Sequence, residues 1–148
     1  MQYIEQVAWF PYSPERIYDF LSDPAALAKV VGRIKSAKVI ERGDNEGRLA
    51  VELDMPMRKV VKAVGQVKGI PAQELSFKTE DPFPLEFSWK LQAKQQGDQA
   101  GTEVLGILGF DLSAYGVPAG GMIVRGIIAG ELKGDMERLE QALAQALS

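Results

Sequence analysis

Leu85-Glu86-Phe87-Ser88-Trp89-Lys90-Leu91-Gln92, residues 85–92, sets a large apolar side chain against a polar one at every step. A period of two marks a strand with one face in a core and the other in water. The pattern repeats on the N-terminal side. Leu75, Phe77 and Thr79 alternate with Ser76 and Lys78. Lys59–Lys68 sets Val61, Ala63, Gly65 and Val67 on one face, and residues 48–54 set Leu49, Val51 and Leu53 against Arg48, Glu52 and Asp54. Residues 36–42 precede a turn at Gly43–Gly47. On the C-terminal side Gly97-Asp98 and Gly101 lead to a last strand over about 102–112, with Val104, Gly106, Leu108 and Phe110 on one face. Gly69-Ile70-Pro71 and Asp81-Pro82-Phe83-Pro84 read as breaks.

Tight turns between short strands predict an antiparallel meander, since parallel pairing needs long crossovers. An apolar sheet face requires a cover. The cover is a helix over Gly120–Leu147, with an apolar stripe through Met122, Ile128, Leu132, Met136, Leu139 and Leu143. Ahead of the meander, residues 3–10 read as a strand. Ser13-Pro14-Glu15 starts a short helix, and Asp23-Pro24 starts a second over Ala25–Val31. The 148 residues thus predict a single α+β domain, 1–148, with a seven-stranded curved sheet, two short helices and a long C-terminal helix.

Composition excludes several chemistries. With no cysteine there is no disulfide, thiolate nucleophile or zinc–thiolate site. With no histidine the serine–histidine triads and the usual proton shuttle at neutral pH are gone. Any catalysis would need a carboxylate or lysine of strongly shifted pKa. No metal site and no cofactor are expected. The net charge of −3 argues against bulk affinity for nucleic acid. The first residues lack the regions of a signal peptide, and no apolar run is long enough to cross a membrane, so the expected compartment is the cytoplasm.

Ser13-Pro14-Glu15-Arg16-Ile17-Tyr18 followed by Asp23-Pro24 resembles the START / Bet v 1-like superfamily, also called SRPBCC or the polyketide cyclase/dehydrase and lipid transport class. Phe87–Leu91 before Gly97-Asp98 and Thr102-Glu103-Val104 is the second piece of the resemblance, and Asp135-Met136-Glu137-Arg138-Leu139 the third. It implies a helix-grip fold, in which the long helix closes the curved sheet over an apolar cavity. A shared fold supports no more than binding of something apolar.

The candidate cavity wall is Val61, Leu75, Phe77, Phe87, Trp89, Leu108 and Phe110, opposed by Met122, Ile128, Leu132 and Met136. A filled core is the plainer reading of the same set. Arg125, one turn from Met122 and Ile128, is a candidate anchor for a ligand oxygen, and Tyr18 and Tyr115 are weaker polar candidates. Ala63, Gly65, Gly106 and Gly109 leave room within strands for curvature or for empty space. Gly126, Gly130 and Gly134 make a stripe that suits close packing within the chain, a dimer contact or ligand access. Basic residues cluster over 29–42 (Lys29, Arg33, Lys35, Lys38, Arg42) and 58–68, and read mainly as solvated strand edges.

The reading that follows is a carrier or sensor of a small hydrophobic molecule, such as a lipid, isoprenoid quinone or aromatic metabolite. The chain is expected to be a monomer or weak homodimer without catalytic residues. A polyketide cyclase/aromatase-like enzyme and a chaperone- or assembly-associated interaction protein are the alternatives.

Overall fold

The computed structural model describes residues 1–54, 60–81, 84–111 and 122–147. The described residues form strands β1 (Gln2–Phe10), β2 (Ile34–Gly43), β3 (Glu46–Leu53), β4 (Val61–Ile70), β5 (Glu74–Thr79), β6 (Leu85–Ala93) and β7 (Thr102–Phe110). Helices α1 (Pro14–Leu21) and α2 (Pro24–Val30) lie between β1 and β2, and α3 (Met122–Leu147) comes last. All neighbours pair antiparallel in the order β1-β7-β6-β5-β4-β3-β2, so the first strand returns to pair with the last.

Local chemistry explains the ends. Ser13 Oγ accepts from Arg16 N at 3.2 Å and Asp23 Oδ1 from Ala25 N at 3.0 Å, each just before a proline whose missing N–H costs a first turn nothing. The β2–β3 turn places Asn45 at φ 56°, a conformation that Asn tolerates. The break expected at Gly69–Pro71 falls later, at Pro71–Gln73, because Gly69 stays in β4. A Cβ there would collide with the Tyr18 phenol.

Alternation produces one buried sheet face. Leu49, Val51 and Leu53 of β3, Leu75 and Phe77 of β5, Leu85–Leu91 of β6 at odd positions, and Val104, Leu108 and Phe110 of β7 are buried together. From α3 they receive Ile128, Leu132, Met136, Leu139 and Leu143. Met122, expected on this stripe, is 84% exposed, and Ile123 and Ile127 are exposed beside it.

Among the described residues the glycine stripe is likewise not packed against another element. Among the described residues, nothing lies within 4 Å of where a Cβ would stand at Gly126 or Gly130, and Gly134 meets only the Arg138 side chain. With space available, the helical cost of glycine is uncompensated. Gly130→Ala is therefore expected to stabilise the fold by about 1 kcal/mol, read from the urea midpoint. A loss of stability would show that this face is covered.

Candidate ligand-binding site

A cavity of about 230 Å³ lies between α1–α2 and the β2–β5 side of the sheet. Its apolar floor is Leu21, Leu27, Leu49, Val67 and Leu75. Its rim carries Tyr18, Ser22, Glu41, Arg42, Asn45 and Glu46. Tyr18 is buried, stands over Gly69 and donates to Asn45 Oδ1 at 3.2 Å, while Gly69 N donates to Asn45 O at 2.7 Å. Helix α1, the β2–β3 turn and the end of β4 are thus joined at the mouth. Among the described lining residues Tyr18 is the ionisable group that is buried; Glu41, Arg42 and Glu46 are exposed.

Of the residues expected to form the wall, Leu75 lines this cavity. Phe77, Phe87, Trp89, Leu108, Phe110, Ile128 and Leu132 are brought together as packed core, and Val61 is half-buried beside them. The space left by Gly65 is occupied by the Phe77 ring, which stacks on Phe87 with centroids 4.8 Å apart. Phe87 meets Trp89 edge-on at 5.5 Å. Met136 and Leu132 fill the space over Gly106. These in-strand glycines therefore admit side chains. Met122 and Arg125 lie outside the core. Arg125 is exposed and donates to Gln2 Oε1 and to Tyr3 O, binding α3 to the start of β1. Tyr115 lies outside the described residues.

The outer face of β2–β4 carries exposed Lys38, Arg48, Lys62 and Lys68, with Glu52 and Asp81 on the same groove. Mixed sign gives this face no uniform field for an anionic partner.

One basic residue read as a solvated edge is in fact interior. Arg33, between α2 and β2, is 1% exposed. Its Nη2 donates to Asp135 Oδ2 at 2.8 Å, and its guanidinium lies 6.0 Å over the Phe87 ring. Asp135 is buried as well, and accepts also from Gly32 N at 3.0 Å and from Arg138, whose Nε donates to Val30 O at 3.0 Å. Glu131 Oε2 approaches Arg33 Nη1 at 3.6 Å, too far for a hydrogen bond. Among the described residues Arg33 Nε, Arg33 Nη1 and Glu131 Oε2 are buried without a hydrogen-bond partner. The one sequence signal is the Asp135–Leu139 piece of the family pattern. Charge alone points the other way for Arg33.

Burial pushes the Glu131 carboxyl above its ordinary value; Asp135 adds to this, and Arg33 and Arg138 act against it. The folded chain then holds this proton more tightly than the unfolded chain. Between the ordinary and the raised value, stability falls as pH rises, and the deficit is complete above the raised value. Glu131→Gln is expected to melt above wild type at about pH 7, with the difference shrinking toward about pH 4.5. A variant that melts lower at neutral pH would mean that attraction to Arg33 outweighs burial.

Strand order, the two short helices and the gripped C-terminal helix define an α+β helix-grip protein. The family model described as polyketide cyclase / dehydrase and lipid transport matches residues 10–137, and the chain belongs to that family. Among solved structures it is similar to TTHA0849 from Thermus thermophilus, at 20% identity and TM-score 0.75, covering 99% of this chain and 100% of that one. It is also similar to the Zhui aromatase/cyclase from Streptomyces sp. R1128, at 9% identity and TM-score 0.72, covering 99% and 96%. DR_A0006 from Deinococcus radiodurans matches at 17% identity and TM-score 0.64, covering 99% and 100%. At these identities the likeness is one of fold. Among curated proteins, none matches the sequence. Family membership implies ligand binding in an internal cavity. No helix among the described residues is long and apolar enough to cross a membrane.

Proposed function

We propose that this chain binds a small, largely apolar molecule in the cavity between α1–α2 and β2–β5, as a carrier or sensor. The observation that carries this reading is the five-residue apolar floor beneath a polar rim. That composition suits a ligand with an apolar body and one or two polar groups. At about 230 Å³ the space lies just under the usual range of about 300–1,000 Å³. An aromatic metabolite or short acyl chain fits it better than a whole phospholipid or a long isoprenoid tail. Binding is favoured over cyclase chemistry because the rim carboxylates Glu41 and Glu46 are exposed to water rather than set in the apolar floor.

Leu75→Trp tests the site by filling it from the floor. Titration with a naphthalene-based fluorescent probe is expected to show saturable binding to wild type and at least about tenfold weaker binding to the variant, with the far-UV spectrum retained. Equal binding by a folded Leu75→Trp would place the ligand elsewhere.

A further inference from the structure

The Tyr18 hydroxyl is a polar group set beside the apolar floor of the cavity. Tyr18 is 7% exposed and lines that cavity. Its phenol oxygen fills the space where a Cβ would stand at Gly69. Gly69 pairs across the sheet with Leu75 and lies on the same strand face as Val67, two residues away. Leu75 and Val67 both belong to the floor. Glycine inside a strand weakens it and often marks the close approach of another group. Here that group is the phenol, so β4 gives up a side chain to admit one hydroxyl beside the floor.

That hydroxyl is poorly served. Among the described residues it donates to Asn45 Oδ1 at 3.2 Å, beyond the usual range of about 2.5–3.0 Å between two oxygens. Asn45 is exposed in the β2–β3 turn, so water competes for its side chain. Ser22, the other hydroxyl in the lining, already donates to Tyr18 O at 2.7 Å. The charged lining residues, two carboxylates (Glu41 and Glu46) and one cation (Arg42), are all exposed. Among the described lining residues no cation is buried. A carboxylate or phosphate brought onto the floor would therefore lose water without gaining a partner. A neutral oxygen loses far less and meets a donor on Tyr18.

We propose that Tyr18 sets the specificity of the cavity, its hydroxyl holding the neutral hydroxyl or carbonyl oxygen of a small aromatic molecule whose rings rest on Val67 and Leu75. This rests on the cavity reading above, and names both the ligand class and the residue that selects it. The phenol exchanges its long bond to the exposed Asn45 for a shorter one to the ligand oxygen, which the floor shields from water. Asn45 returns to solvent at little cost. Organic acids are rejected because the lining offers their charge no buried counterpart. Hydrocarbons without an oxygen are accepted less well, because they leave the Tyr18 hydroxyl with its poor bond.

Displacement of the naphthalene-based probe by 2-naphthol, by 2-methylnaphthalene of the same shape and by naphthalene-2-carboxylate tests this. Wild type is expected to bind 2-naphthol about threefold to tenfold more tightly than 2-methylnaphthalene, as one neutral hydrogen bond allows, and the carboxylate most weakly. Tyr18→Phe keeps the ring and removes the donor, and because Asn45 is exposed the fold loses little. This variant is expected to keep its affinity for 2-methylnaphthalene and to reverse the preference, since the ligand hydroxyl is then buried without a partner. Asn45→Gly suits the positive φ of the turn and frees the Tyr18 hydroxyl, and is expected to bind 2-naphthol at least as tightly as wild type. Equal displacement by 2-naphthol and 2-methylnaphthalene in wild type, a preference that survives Tyr18→Phe, tightest binding of the carboxylate, or weaker 2-naphthol binding by Asn45→Gly overturns the assignment to Tyr18 and leaves the cavity reading standing. If folded wild type binds neither the probe nor any of the three compounds, the cavity reading falls and the assignment with it.

Discussion

Asp135→Ala lowers the unfolding free energy by about 3–5 kcal/mol, the cost of breaking a buried ion pair from one side. The side chain is 2% exposed and its two oxygens take three donors. Removing it leaves Arg33, at 1% exposure, with Glu131 at 3.6 Å as its remaining carboxylate among the described residues. It also frees Gly32 N and loosens Arg138, which ties α3 to Val30. Urea unfolding followed by circular dichroism measures the loss as a lower midpoint at an unchanged slope. Much of the cost is the stranded charge rather than the lost attraction. Arg33→Met combined with Asp135→Ala is therefore expected to be more stable than Asp135→Ala alone, a coupling of the kind double-mutant cycles report. A single variant that loses under about 1 kcal/mol would mean that water or Glu131 already compensates Arg33.

The same pair shows which parts of the molecule sequence reveals. Strand positions are legible because a half-buried strand writes its period of two into consecutive residues, as Leu85 to Gln92 do. Helix starts are legible because capping uses neighbours, as Ser13 and Asp23 show. Arg33 is not legible as interior, since its partner Asp135 is 102 residues away and the basic residues around it in sequence, Lys29, Lys35 and Lys38, are exposed. Nor is the cavity. The period of two finds the apolar side chains of the inner face, but whether an inner face encloses space depends on what each ring fills. Phe77 occupies the room over Gly65, Met136 the room over Gly106, and the open volume lies instead toward α1 and the β2–β3 turn. Met122 fails for a related reason. Helical spacing puts it on the apolar stripe, but the sheet's cover ends before it.

Phe77→Ala costs about 3–5 kcal/mol and enlarges the ligand that the chain accepts. The ring is 1% exposed, covers Gly65 and stacks on Phe87, so its removal loses both transfer energy and an aromatic contact. Neighbours can close the gap only in part: Gly65 has no side chain to move in, and Phe87 is held against Trp89 and beneath Arg33. The void adjoins Val67, which pairs with Phe77 and lines the cavity, so the two spaces are expected to merge. Two-ring probes should then bind the variant more tightly than wild type even though its urea midpoint is lower. Refilling from the opposite strand separates volume from mere damage. In wild type, Gly65→Val drives a side chain into the Phe77 ring and is expected to cost about 1–3 kcal/mol by overpacking. In Phe77→Ala the same valine enters vacated space with a side chain suited to a strand, so the double variant should recover part of the lost stability and give back the gain in two-ring binding. If Gly65→Val destabilises both backgrounds equally, the ring is not what occupies that glycine's space.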